Sequence, residues 1–341
     1  MHKRVISGCV FALFLAFTPL RADDGAASIA AGGIVMKRES RITMAKEVLR
    51  ISVDKVTVDY DFRNDTDQDI TTEVPFPIPD YSFQYDRATP KQAGFDDFEL
   101  EVNGKHMNFN TEVKAFAGKE DVTGVLRAMH VDIAGFGHYH DGANGGPVFP
   151  DLRGLSQSKR SRLNGLKAID GEWPNWKVQK RYYWSQTFPA HTTVHISHRY
   201  TPVVGFGLVP SSTFNAAKGD SSAHHNDAHI DKDSLEEVKS VCPTDQLLTR
   251  LDKASHNAQD AGYGYIQYVD FILTTANTWK QPISSFTLLV ERPHDAHRES
   301  YAVSFCWAHK VEQIEPDLFR ATATKLVPTH ELRVGFFGIN K

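Results

Sequence analysis

The side chains best suited to chemistry in this sequence are its 16 histidines, which gather at His138/His140, His191/His195/His198, His224/His225/His229 and His294/His297. Imidazole is the commonest transition-metal ligand, so a zinc or copper site is the first chemistry to weigh. In the segment AGFGHYHDGANGGPVFP, Ala134 to Pro150, His138 and His140 stand two apart with Asp141 beside them, and these three are the candidate metal ligands. A structural metal site wants four ligands and a fixed outer shell. Three candidates among five glycines supply neither. A mobile loop is therefore the competing reading, and HHNDAH, beginning at His224, completes a site only where the fold joins the two segments. In HTTVHISHRY a strand separates the imidazoles: His191 and His195 share one face, while His198 points the other way with Val194, Ile196 and Tyr200. One strand cannot bring all three to one ion, and His198 reads as a core residue.

Other reaction signatures fail on inspection. GFGHYH opens like a dinucleotide loop but has His140 where the third glycine belongs, and GxxxxGK[ST], HExxH and GxSxG are all missing. No catalytic residue is assigned, although a hydrolase triad assembled in space from scattered Ser, His and Asp stays open. In WPNWKVQKRYYWSQTF, period two sends Trp176, Val178, Tyr182, Trp184 and Phe188 to one face, as in a core strand. Trp173 falls outside that alternation and is the candidate ligand-stacking ring. Lys159, Arg160, Arg162 and Lys167 read as the solvated face of a helix before they read as a binding patch.

The N-terminus has a basic start, His2-Lys3-Arg4, an apolar run from Val5 to Leu20, then RADDG. This is the layout of a secretory signal peptide, with cleavage expected near Ala22 and a periplasmic or secreted product. The run is shorter than the roughly 20 residues a bilayer needs, and no second run follows, so no transmembrane segment is expected after signal removal. The Ile6–Cys9 stretch ISGC lies too early in the apolar region to act as an acylation box. Signal removal takes Lys3, Arg4 and Arg21 from 38 basic residues, leaving 35 against 42 acidic ones. Nucleic acid is thereby excluded as a natural partner. Cys242 and Cys306 are the two cysteines that remain, and an even pair in an oxidising compartment is expected to form a disulfide closing a loop of 64 residues. A free pair, or metal ligation with nearby histidines, is the alternative.

The elements that must position these residues are mostly strands. KVTVDYDF puts Val56, Val58, Tyr60 and Phe62 on one face, ITTEVPFPIP has prolines suited to an edge or a strand end, and FELEVNGKHMNF centres on an Asn103-Gly104 hairpin turn. KEDVTGVLRAM and LSQSKRSRLNGLKAI read as helices, the second weakened by Gly165. Alternation returns from Trp176 to Val204. Leu235, Val238, Val241, Leu247, Leu248 and Leu251 then mark a helical segment before a last set of strands. The expected fold is mainly β: two antiparallel β-sandwich-like domains, residues 23–205 with a helical excursion at about 117–170, and 206–341 with a helical segment at about 233–257.

DDGAASIAAGGIVM, DYDFRNDTDQDITTEVPFPIPD, YYWSQTFPAHTTVHISHRYTPVVG, FILTTANTWKQPISSFTLLVE and VSFCWAHKVEQI together resemble a proteobacterial family of exported proteins described as domain of unknown function 4424. The chain departs from the family pattern at Ala276/Asn277, where a glycine is usual, and at Val241, where a tyrosine usually precedes the cysteine. The order of FRNDTDQDITTEVPFPIP, a helical excursion and FPAHTTVHISHRY is also similar to the sandwich domains at the N-termini of inter-alpha-trypsin-inhibitor heavy chains. That likeness implies that the strand ending at Tyr200 rejoins the first sandwich. Neither family supplies catalytic residues. The expected function is a non-catalytic exported module without a cofactor that binds another envelope protein or a surface ligand. A zinc or copper binder and an unrecognised hydrolase are the alternatives.

Overall fold

Val56, Val58, Tyr60 and Phe62 lose all solvent contact while Thr57, Asp59 and Asp61 keep some, which is the alternation of a strand with one buried face. The same rule recurs along most of the chain. The computed structural model describes residues 26–30, 33–82, 97–136, 150–219, 231–256, 262–293 and 300–339. In chain order it contains β1 (Ala26–Ala30), β2 (Gly33–Lys37), β3 (Ile42–Ile51), β4 (Val56–Asn64), β5 (Ile70–Pro77), β6 (Glu99–Val102), β7 (Lys105–His106), β8 (Asn110–Ala117) and β9 (Glu120–Asp121). Helices α1 (Thr123–Ala128) and α2 (Gln157–Gly165) and a ribbon of β10 (Ile169–Asp170) and β11 (Trp173–Pro174) lead to β12 (Lys177–Phe188), β13 (Thr193–Tyr200) and β14 (Val204–Pro210). Three helices follow, α3 (Ser211–Ala217), α4 (Lys232–Lys239) and α5 (Asp245–Ser255), then β15 (Tyr263–Phe271), β16 (Ile283–Glu291), β17 (Ser300–Phe305), β18 (Val311–Glu315), β19 (Leu318–Leu326) and β20 (Leu332–Ile339).

The fold is mainly β. A six-stranded sheet, β2-β1-β5-β12-β8-β9, faces an eight-stranded one, β18-β19-β16-β3-β4-β13-β6-β7. Rings meet across the gap: Phe98 stacks on Tyr182 at 4.0 Å, Phe62 meets Phe188 edge-on at 5.8 Å, and Trp184 meets His198 at 5.3 Å. Each phenylalanine among them, once buried, contributes about 1.5–3 kcal/mol of transfer free energy. The four-stranded sheet β14-β15-β20-β17 closes one end. Val269, Phe271, Val334 and Phe336 on one of its faces join the large core. Its opposite face, with Ile266 and Phe337, packs under Phe214, Val238, Leu248 and Leu251 of the helices.

Several local expectations have visible causes. Asn103 and Gly104 both take positive φ, 51° and 73°, between the paired Val102 and Lys105, as a two-residue hairpin demands. Helix α2 ends at Gly165, and α1 is only six residues long. Strand β5 differs from the expected edge: it lies between β1 and β12, but β1 meets it only at Ala27 opposite Glu73. Pro75 and Pro77 therefore interrupt no ladder on that side. Strand β13, ending at Tyr200, does rejoin the first sandwich, pairing with β4 and β6.

The division expected at position 205 does not coincide with a division between sheets. Strand β16 runs parallel to β3, with Phe286 opposite Glu47 and Val290 opposite Ile51, so strands from both sides of that position share the eight-stranded sheet. The cause is apolar matching. Leu49 and Ile51 of β3 and Phe286, Leu288 and Val290 of β16 are all buried in one core, and the two strands continue one pleat.

Candidate functional site

Among the described residues the histidines do not converge. His138, His140 and Asp141 lie outside the described residues, as do His224, His225, His229, His294 and His297. His198 has no solvent contact and sits among the rings of Phe76, Phe98, Trp184 and Tyr60 at 4.7–5.6 Å, a core position. His195, on the other face of β13, lies between Asp61 at 3.0 Å and Asp59 at 3.5 Å. His191 precedes the strand, at a positive φ of 54°, and meets Asp67 at 2.8 Å. Among the described residues no three His, Cys, Asp or Glu side chains are grouped as a metal site.

Trp173 is exposed, on β11 at the rim of a shallow recess with Pro150, Leu152 and Arg153. The cations beside it are engaged: Arg153 pairs with Asp151, and Arg160 donates to the carbonyls of Leu152 and Leu155. Arg160 thus ties a loop rather than forming a basic patch.

A different place emerges around the cysteines. Cys242 follows α4 in the left-handed region, φ 50°, its N–H donating to the Lys239 carbonyl, and its sulfur is bonded to that of Cys306 just past β17. The Ser304 hydroxyl donates to the Val241 carbonyl at 2.9 Å and adds a second tie between the same segments. Beyond this seam opens a groove of about 420 Å³. One wall is the run Cys306–His309, the other the loop Leu326–Glu331 between β19 and β20, and Leu273 and Leu332 form the floor.

The walls are held from behind. Glu331 accepts the backbone N–H groups of Leu273 and Thr274 at 2.9 and 3.1 Å and the Thr274 hydroxyl at 2.7 Å, so its carboxylate caps the 3₁₀ turn Thr274–Thr278. Asn277 donates to the Pro328 carbonyl at 2.8 Å, and Trp307 stacks on Phe286 at 5.6 Å. Val327, at the lip, keeps 54% of its surface exposed. An apolar loop residue held open on a braced frame can bind something apolar without reorganising. Sequence reasoning passed over Trp307, Leu326 and Val327. The available signal was the apolar pair Leu326-Val327 placed just before Pro328, where a loop would ordinarily turn polar.

On the neighbouring side of the same segment the chemistry is the reverse. Arg333 on β20 donates to both oxygens of Asp270 on β15 at 2.6 and 2.7 Å and lies 4.3 Å over the Tyr268 ring. The Tyr268 hydroxyl is hydrogen-bonded to Glu237 of α4, whose carboxyl is pushed up by burial despite the nearby Arg333 charge. Burial likewise raises Tyr268, and the Glu237 charge adds to it. Glycines make the room: a Cβ on Gly205 would come within 2.0 Å of the Tyr268 ring, and one on Gly207 within 2.1 Å of the Glu237 carboxylate. Each member meets a protein partner, so the stack fastens β14, β15, β20 and α4 together.

A family model described as a domain of unknown function, DUF4424, matches residues 22–334. The chain belongs to this family. No curated protein matches it. Among solved structures, the DUF4424 chain is similar to a candidate nutrient-binding protein from Legionella pneumophila at 12% identity and a TM-score of 0.37, over 88% of this chain and 68% of that one. The groove and the charged stack of the DUF4424 chain are therefore read from its own side chains.

Proposed function

We propose that this DUF4424 protein is an exported, non-catalytic binding module of the cell envelope, that residues 1–22 are its export signal, and that the groove beside Cys242–Cys306 is its binding face. One observation carries the reading: an apolar groove of about 420 Å³ stands open, one wall braced by hydrogen bonds from Thr274 and Asn277 and the other by the disulfide and the stacking of Trp307 on Phe286. That size falls in the range of small-molecule sites. The disulfide fits an oxidising compartment, and no helix among the described residues is long and apolar enough to cross a membrane.

Two measurements test it. Periplasmic protein should have a mass beginning near Ala22, whereas an intact Met1 overturns the export reading. An apolar reporter dye should bind with 1:1 stoichiometry, and Val327→Asp should weaken it at least about tenfold by placing a charge on the apolar lip. Equal binding by the variant overturns the assignment of the groove.

A further inference from the structure

Resting on that reading of the groove, we propose that its occupant is an amphipathic carboxylate: an apolar chain or ring of on the order of ten non-hydrogen atoms carrying one anionic head. The apolar part follows from the walls, since Leu273, Trp307, Leu326, Val327 and Pro328 offer no charge. The sign of the head follows from which polar groups are spent. Glu331 is the carboxylate lining the groove, and its two oxygens already hold three donors of the Leu273–Thr274 turn. The Pro328 carbonyl is likewise engaged by Asn277. A donor-rich head therefore finds these two acceptors occupied.

What faces the groove from each wall is an imidazole, His309 on one side and His330 on the other, and both are exposed. His330 Nδ1 lies 3.0 Å from the Thr329 hydroxyl, which leaves Nε2 for a ligand. The indole N–H of Trp307 is buried without an acceptor and does not reach the open surface of the groove. Two lysines adjoin the lining in sequence, Lys310, paired with Glu312 at 3.0 Å, and Lys325, and neither lines the groove, so the imidazoles supply the nitrogen donors at the rim. An apolar floor between two donor-bearing walls complements a molecule with an apolar body and an acceptor head. A neutral alcohol of the same length would gain the floor but only a weaker head contact, because a charge-assisted hydrogen bond is roughly twice as strong as a neutral one.

The test uses the full disulfide-bonded chain and calorimetric titration below micelle-forming concentrations with decanoate, decanol, decyltrimethylammonium and, separately, phosphatidylcholine vesicles containing decanoate. The expected order is decanoate tightest, by at least about tenfold over decanol, with the cation weakest. In a His309→Ala/His330→Ala variant, which removes both donors, that preference should shrink to under about threefold while decanol binding falls by less than about threefold. Free decanoate binding without vesicle binding places the source in solution, and binding to acid-containing vesicles places it in a lipid surface; either outcome supports the carboxylate. Equal affinity for decanoate and decanol, or a preference that survives in the double variant, overturns this inference and leaves the groove standing. Failure of all three free amphiphiles and of the vesicles to bind overturns both.

Discussion

The charged stack reaches Ser240 and the groove begins at Cys242, two residues on, yet the two regions treat their polar groups in opposite ways. On the stack side Arg333, Asp270, Tyr268 and Glu237 interlock, and a guanidinium nitrogen of Arg333 reaches within 3.5 Å of the Ser240 hydroxyl. On the groove side the polar groups turn backward to brace the walls, and the apolar surface faces outward with no protein against it. The difference teaches where to look for function. A cluster of charges with raised carboxyl and phenol pKa values would ordinarily attract a catalytic reading. Here its members are mutually satisfied, and the stack works as a fastener. The incomplete region is the apolar one.

Five results would break or sharpen this contrast. The largest concerns the disulfide, which belongs to both sides. Closing a loop of 64 residues restricts the unfolded chain, so reduction, or Cys242→Ser with Cys306→Ser, should lower unfolding free energy by about 4 kcal/mol in denaturant titrations and loosen the groove. Next, Arg333→Ala should cost about 2 kcal/mol. The full penalty for orphaning a buried carboxylate is reduced here because Asp270 and Arg333 are each about one-third exposed. Amphiphile affinity should remain, and a variant that loses binding while retaining its folded stability would make the stack part of the site.

Gly205→Ala, which drives a methyl into the Tyr268 ring, should cost about 1–2 kcal/mol and shift the near-ultraviolet signal of that tyrosine. Smaller again is the pH effect of Glu237. Burial raises its folded pKa above the unfolded value of 4.5, so the folded state holds the proton more tightly. Stability from this group is present below pH 4.5 and is lost as pH rises through the folded value. Glu237→Gln should flatten that part of the stability profile, with a change under about 1 kcal/mol, and an unchanged slope would exclude the residue as its source. Smallest is Val327→Asp, which should alter stability by no more than about 0.5 kcal/mol while removing apolar binding. A large loss of stability would mean that the lip belongs to the core.

The faces of β4, β12 and β13 were legible because period two shows directly in their residues: Val56 to Phe62, Val178 to Phe188 and Val194 to Tyr200 all went to the core. The hairpin at Asn103-Gly104 was legible because few residue pairs tolerate two positive φ values in a row. His198 was assigned to the core by the same parity that sent His195 out to Asp59 and Asp61. The pairing of β16 with β3 was not legible. Leu49 and Leu288 alternate identically in any partner's company, and nothing local distinguishes neighbours 239 positions apart in the chain. Strand β18 escaped notice because VEQIE is an exposed edge with no buried face to give it a period. The groove was hidden for a related reason: its walls come from segments about 20 residues apart, and its floor includes Leu273 from a third.

The parallel seam between β3 and β16 also sets an order on maturation. Strand β3 can pair with β4 as soon as both exist, but its other edge waits for residues 286–290. Until these arrive, a ten-residue strand with an apolar face keeps a row of backbone donors and acceptors uncovered, a template for pairing with another chain. Contacts this distant in sequence also slow folding, because much of the chain must be confined before they reward it. The vulnerable period of this protein thus lasts until almost the whole polypeptide has been delivered, and truncation after residue 205 would prolong it indefinitely.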